Sequence, residues 1–158
     1  MKPGFKIISG GQTGVDRAAL EWTLANGVLH GGWCPKGRKA EDGIIPPQFQ
    51  LTETGSENYS VRTRRNIRDS GGTVIFSQSP ELSGGSSETA ETAKEIGKPL
   101  LHLISSMGIN EAATQLNAFI KEHDVVVLNV AGPRASEEPE AGQFVKAVLA
   151  CALKPLIR

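Results

Sequence analysis

The stretch Lys6-Ile7-Ile8-Ser9-Gly10-Gly11-Gln12-Thr13-Gly14-Val15-Asp16-Arg17-Ala18-Ala19-Leu20 constrains this chain more than any other. Phe5, Ile7 and Ile8 read as a short buried strand. Ala18, Ala19, Leu20, Trp22 and Leu24 read as the apolar face of a helix. Between them stand glycines at 10, 11 and 14. Glycine tolerates positive φ and lets a backbone approach a ligand closely. The free N–H groups of a helix start, backed by the helix dipole, favour an anion. The turn is therefore a candidate phosphate cradle at the mouth of a parallel sheet. Its spacing is neither the dinucleotide fingerprint nor the P-loop, and a tight turn needs the same glycines for geometry alone. Thr13, Asp16 and Arg17 favour the ligand reading, because open α/β sheets bind ligands at the carboxyl ends of their strands.

The rest of the chain repeats this alternation. Val28–Trp33 reads as a second strand, Thr73–Phe76 as a third, Leu100–Ile104 as a fourth and Val125–Val130 as a fifth. Helices are expected from Ser60, capped by its hydroxyl, to a glycine stop at 71; over 88–96; over 110–122; and from Glu137 onward. The acidic residues Glu137 and Glu138 would suit the start of the last helix. Residues 44–59 read as an irregular excursion over the sheet edge, with the length of a lid. The pattern predicts an α/β fold with about five or more mostly parallel strands between two helical layers, residues 1–158 forming one domain.

Several segments would then share one rim. In the loop Cys34–Gly43, Lys36, Gly37 and Arg38 are placed to meet an anion, although the charges also fit an ordinary solvated loop. Cys34 reads as a small buried hydrophobe. Arg62, Arg65, Asn66 and Asp69 share one helix face. That face suits phosphate or carboxylate binding, a solvated surface or a subunit contact equally. After the third strand, Gly84 and Gly85 precede Ser86, Ser87 and Thr89 at a helix start. This is a second glycine turn with hydroxyls beside free N–H groups, though plain capping needs only one of them. Arg134 lies in the loop after the fifth strand. His102 sits in an apolar run and reads as structural.

Composition narrows the partners. Lys plus Arg and Asp plus Glu both number 17, so the formal net charge is zero, which disfavours nucleic acid as a partner. Cys34 and Cys151 have neither metal-ligand spacing nor a disulfide framework, as expected of a reducing cytoplasm. Neither a signal-peptide h-region nor a membrane-length apolar run is seen, so no membrane partner is expected.

Four motifs together resemble the molybdenum cofactor carrier protein family: Ser9–Arg17, Gly32–Arg38, Arg62-Thr63 with Asn66, and Leu128–Arg134. The likeness spans roughly residues 5–150. That family stands in a wider Rossmann-like group with the lysine-decarboxylase-like (LOG) nucleotide hydrolases and the DprA-like proteins. The resemblance implies a Rossmann-like three-layer sandwich, a homo-oligomer (dimer or tetramer), and binding of the molybdopterin form of the cofactor. The pterin's phosphate would sit on the glycine turns and the anionic molybdenum group near basic side chains. The metal would be held by the pterin, with no direct protein ligand. The LOG hydrolases carry P-G-G-x-G-T-x-x-E, and Ser83–Glu91 keeps the glycine pair and Glu91 but departs at the proline, the third glycine and the threonine position. Hydrolysis of a nucleotide's N-glycosidic bond by Glu91 or Asp16 with an arginine is the alternative, and a nucleotide-sensing module a further one.

Overall fold

The computed structural model describes residues 2–153. Met1 and residues 154–158, which the sequence pattern counts within its single domain, lie outside the described residues. In chain order the elements begin with β1 (Lys6–Ile8), α1 (Val15–Asn26), β2 (Leu29–Gly31), β3 (Trp33–Cys34), β4 (Lys39–Ala40), β5 (Gly43–Ile44) and β6 (Thr52–Glu53). They continue with α2 (Tyr59–Arg68), β7 (Gly72–Ser77), α3 (Gly84–Glu95), β8 (Leu100–Ile104), α4 (Ile109–Glu122), β9 (Val127–Ala131) and α5 (Ala141–Leu153).

Five strands form a wholly parallel sheet in the order β2-β1-β9-β7-β8. Ile7 stands opposite His30 and Leu128, and Thr73 opposite Asn129. Successive strand residues face opposite sides, and this alternation divides the sheet's two coverings. Ile7, Val74, Phe76, Leu128 and Val130 join the main core with α1, α4 and α5, where Phe76 meets Phe144 edge-on at 5.7 Å. The residues between them, Ile8, Ile75 and Asn129, face the layer of α2 and α3. The result is the expected Rossmann-like three-layer sandwich.

The chain departs from expectation where short-range chemistry outweighs pattern. The second strand breaks at Gly32, whose φ of 127° is closed to side chains and whose Cβ would lie 2.3 Å from the Ser9 carbonyl. Asn58, not Ser60, caps α2, its Oδ1 accepting from the Ser60 N–H at 2.9 Å. Helix α3 starts four residues earlier than expected, because the Ser87 N–H already reaches the Ser83 carbonyl at 3.3 Å. Helix α5 starts at Ala141 rather than Glu137. Glu138 instead accepts the Gln78 N–H at 2.6 Å and the Ser79 N–H at 3.4 Å, tying the loop after β7. Leu24, placed on the apolar face of α1, is 46% exposed. Residues 44–59 are not an open lid: Ile45 and Phe49 pack with Leu20, Cys34 and Ala40 into a second small core. Cys34 is buried there as a small apolar group, and burial pushes its thiol up. His102 is bound to Ser77 Oγ at 2.6 Å.

Candidate functional site

A polar cleft of about 290 Å³ opens at the carboxyl ends of β1 and β9, beside the start of α3. Gly10, Gln12 and Asp16 line it from the turn after β1, and Asn129 to Arg134 from the end of β9. Tyr59, Arg62, Thr63 and Asn66 contribute from α2, and Gly85, Ser86, Glu88 and Thr89 from α3. This is the crevice an open parallel sheet leaves where neighbouring strands connect in opposite directions.

The first glycine turn is built differently from a phosphate cradle. Its amides are already occupied by its own side chains. Gly11 N–H donates to Ser9 Oγ at 3.4 Å, Gln12 N–H to Asp16 Oδ2 at 3.3 Å, and Thr13 N–H to Gln12 Oε1 at 3.1 Å. The glycines admit protein rather than ligand. A Cβ on Gly14, at φ 81°, would lie 2.6 Å from the Pro133 carbonyl and 2.7 Å from Ala135 N. One on Gly11 would collide with Leu51 and Ile45, and one on Gly10 with the Arg62 guanidinium. Thr13 lies outside the cleft, bonded to Glu41 and accepting from Ala135 N–H at 3.1 Å. Arg17 is held by Asp42 and by the Gly11 carbonyl.

The second turn is open. Ser83, at the N-cap of α3, makes no side-chain hydrogen bond to the helix. No atom comes within 4 Å of a Cβ built on Gly85. Gly85, Ser86 and Thr89 line the cleft, whereas Gly84 and Ser87 do not. The uncapped first turn of a helix offers N–H groups and a partial positive charge.

Across from it stands the chain's single tyrosine, Tyr59. The Arg62 guanidinium lies 5.0 Å from its ring centre, Lys39 Nζ 5.2 Å and the Arg134 guanidinium 5.4 Å. All three are within cation–π range. Arg62 also donates to the Gly10 carbonyl at 3.0 Å, and Arg134 lies 3.5 Å from Glu137. Asn66 lines the cleft, but its amide is committed to the Trp33 N–H and carbonyl at 2.7 and 3.0 Å.

Two polar side chains of the first turn are buried. Burial pushes the Asp16 carboxyl up to about 6, with Arg62, the Gln12 and Gly10 amides and Arg17 pulling it partly back. Gln12 Nε2 is buried with no hydrogen-bond partner.

The loop Cys34–Gly43 does not bring its expected cations to the cleft. Lys36 is exposed outside it, and the Gly37 N–H donates to Glu53 at 2.6 Å. Arg38 donates to the carbonyls of Ile45, Pro46 and Phe49 at 3.2, 2.8 and 2.7 Å, which makes it a brace for its own loop. Glu91 is exposed on α3 and outside the lining, away from Asp16. Sequence reasoning does not single out Tyr59, Lys39 or Glu88. A lone tyrosine at a helix start carries no periodic signal, and Lys39 reaches it only because the small core folds its hairpin over. Among the described residues, no three His, Cys, Asp or Glu side chains gather as a metal site, and no helix is long and apolar enough to cross a membrane.

The model of the family described as "Circularly permutated YpsA SLOG family" matches residues 7–153. A crystal structure of a "Putative molybdenum carrier protein" from Syntrophus aciditrophicus SB is 45% identical, with a TM-score of 0.93, over 97% of this chain and 98% of that one. No curated protein matches the chain.

Proposed function

The chain belongs to the circularly permutated YpsA SLOG family, and on that footing we propose that it binds and carries a small phosphate-bearing molecule, the pterin form of the molybdenum cofactor being its cargo. The carrying observation is the cleft itself: an uncapped α3 N-terminus shares its lining with Arg62, Arg134 and Tyr59, and Lys39 reaches the same tyrosine ring. The phosphate sits on the N–H groups of Gly85 and Ser86 with Arg134 beside it. Arg62 and Lys39 balance further negative charge on the cargo. This shifts the phosphate from two glycine turns to one, since the amides of residues 11–13 are already bonded. The volume of about 290 Å³ falls at the lower end of small-molecule sites. The unpartnered Gln12 amide fits a ligand that brings an oxygen or nitrogen acceptor. The metal travels on the pterin. The name of the Syntrophus relative supports this choice of cargo.

The test is native mass spectrometry with ultraviolet absorbance on protein purified anaerobically from a host that makes the cofactor, beside a Gly85→Asp variant. A Cβ at Gly85 meets open space, and an aspartate there adds a carboxylate beside the anion site. A bound pterin mass in the parent, lost in the variant, is the expected result. Parent and variant both empty after reconstitution with molybdopterin would end the carrier reading. Base released from added nucleoside monophosphates would replace carriage with hydrolysis, with Asp16, one of three acids lining the cleft beside Glu88 and Glu137, the one with a raised pKa.

A sedimentation run on the same protein tests assembly into a dimer or tetramer, which belongs to this reading. Arg64, Arg65, Arg68 and Lys98 line a second groove along α2 that a neighbouring chain could cover.

A further inference from the structure

Helix α2 presents a second face away from the cleft. Val61, Arg64, Arg65 and Arg68 follow one another at i, i+3, i+4 and i+7, so they form one stripe along the helix. With Ile96 and Lys98 at the end of α3, that stripe lines a groove of about 500 Å³. Val61 and Ile96 are half-buried and supply its apolar surface. Four cations line it and no acid does. The cleft differs, because Asp16, Glu88 and Glu137 stand among its cations. The whole chain has no net charge, so the single sign of this groove is a local property of α2 and the end of α3.

The cations are already held in place. The Arg65 guanidinium lies 4.8 Å from the Trp33 ring centre. Trp33 Nε1 donates to Asp69 at 2.8 Å, and Asp69 accepts from Arg68 Nε and Nη2 at 2.8 and 3.0 Å. Arg64 donates to Glu95 at 3.3 Å and Lys98 to the Ser70 carbonyl at 2.9 Å. Among the described residues no carboxylate pairs with Arg65. Side chains fixed in this way lose less freedom when a partner arrives. Tryptophan and arginine are also the side chains that dominate protein interfaces.

We infer that this groove docks an acidic amphipathic helix of another protein, its carboxylates meeting Arg64, Arg65 and Arg68 and its apolar stripe meeting Val61 and Ile96. Arg64 and Arg68 stand about 6 Å apart along the axis, one turn at 1.5 Å per residue. A helix laid alongside presents its own i, i+4 carboxylates at the same spacing, the way amphipathic helices enter grooves. Carboxylate is also the group that Arg64 and Arg68 already take, from Glu95 and Asp69. A second copy placed here by a two-fold axis would set these cations against their own equivalents, which like charges resist. Docking at this groove does not depend on what the cleft binds.

Fluorescence anisotropy of the full chain tests it with labelled, alanine-based helical peptides. The first carries glutamates and leucines on one face. In the second lysines replace the glutamates, and in the third glutamines replace the leucines. The first is expected to bind saturably, about tenfold or more tighter than either other peptide, and to weaken as salt rises. Arg64→Glu with Arg68→Glu should lower that affinity about tenfold or more. The urea midpoint should stay near the parent's, because both side chains are exposed. Arg64→Lys with Arg68→Lys keeps the charges and should lose less. No saturable binding of the first peptide overturns the inference, as does equal binding of the glutamine peptide. Inorganic polyphosphate that binds more tightly than the first peptide, and loses that binding in the double glutamate variant, would assign the groove to phosphate instead. A parent assembly that the same variant dissociates in a sedimentation run would place a second copy there and overturn it too.

Discussion

Asp16 is a buried carboxyl, and its titration has a definite sign. Its carboxyl is raised from 3.8 to about 6 by burial. The folded state therefore binds this proton more tightly than the unfolded chain. Stability from this group is fully present below about pH 4 and is lost as pH rises through about 6. The loss is on the order of 3 kcal/mol, because each tenfold change in proton affinity is worth about 1.4 kcal/mol. Asp16→Asn keeps an acceptor for the Gln12 N–H and cannot ionise. Urea unfolding of both proteins at about pH 4, 5, 6 and 7 should show the variant gaining on the parent by up to that amount, most steeply near pH 5. A difference that does not change with pH would mean that the carboxyl titrates as it does in the unfolded chain. The sequence located Asp16 in the first helical turn near the strand ends, but not its burial. Burial depends on Arg62, 46 positions along the chain, coming over the turn.

The two glycine-rich turns look alike in sequence and differ as elements. At Gly14 a positive φ and the backbone of Pro133 and Ala135 leave no space for a methyl group, because the loop after β9 crosses directly above. At Gly85 the space is open and φ is ordinary. Gly14→Ala should cost about 2 kcal/mol or more. Gly85→Ala should leave stability unchanged or raise it by about 0.5–1 kcal/mol, since alanine suits a helix better. Chemical denaturation of both variants checks the contrast, and equal losses would refute the assignment of one turn to packing and the other to solvent. Arg38 makes a parallel case. Its guanidinium serves three carbonyls of its own loop. Arg38→Lys should lower stability by about 1–3 kcal/mol while phosphate affinity in the cleft stays within about twofold, because lysine cannot span that fork. Periodicity and turn residues made the strands and helices legible. They could not separate a glycine needed for packing from one that leaves an anion site open, nor an arginine that meets ligand from one that holds a loop. Those distinctions depend on which backbone lies across the turn, and at Gly14 residues more than 100 positions away decide that.

At the scale of the molecule there are two unequal cores. The larger joins the sheet to α1, α4 and α5, and the smaller gathers Leu20, Cys34, Ala40, Ile45 and Phe49 beneath residues 38–50. The smaller core holds the hairpin of β4 and β5 over the first turn. Glu41 there is bonded to Thr13 and Ser136, and Asp42 pairs with Arg17. The same hairpin carries Lys39 to Tyr59. The rim of the cleft is thus stabilised by a cluster separate from the one that holds the sheet. Such a cluster can open by itself, with a free energy below that of global unfolding. Phe49→Ala removes the largest side chain of that cluster, a loss that would cost about 3–5 kcal/mol in a main core. Native-state hydrogen exchange should then show the amides of β3, β4 and β6 exchanging faster by a factor of about ten or more, while β7 and β9 keep the protection of the parent. Phosphate affinity should fall with them, because opening the hairpin withdraws Lys39 from the cation cluster. Uniform acceleration across all strands would show that the two cores unfold as one unit. Faster exchange with unchanged phosphate affinity would remove Lys39 from the site and leave the anion to α3 and the two arginines.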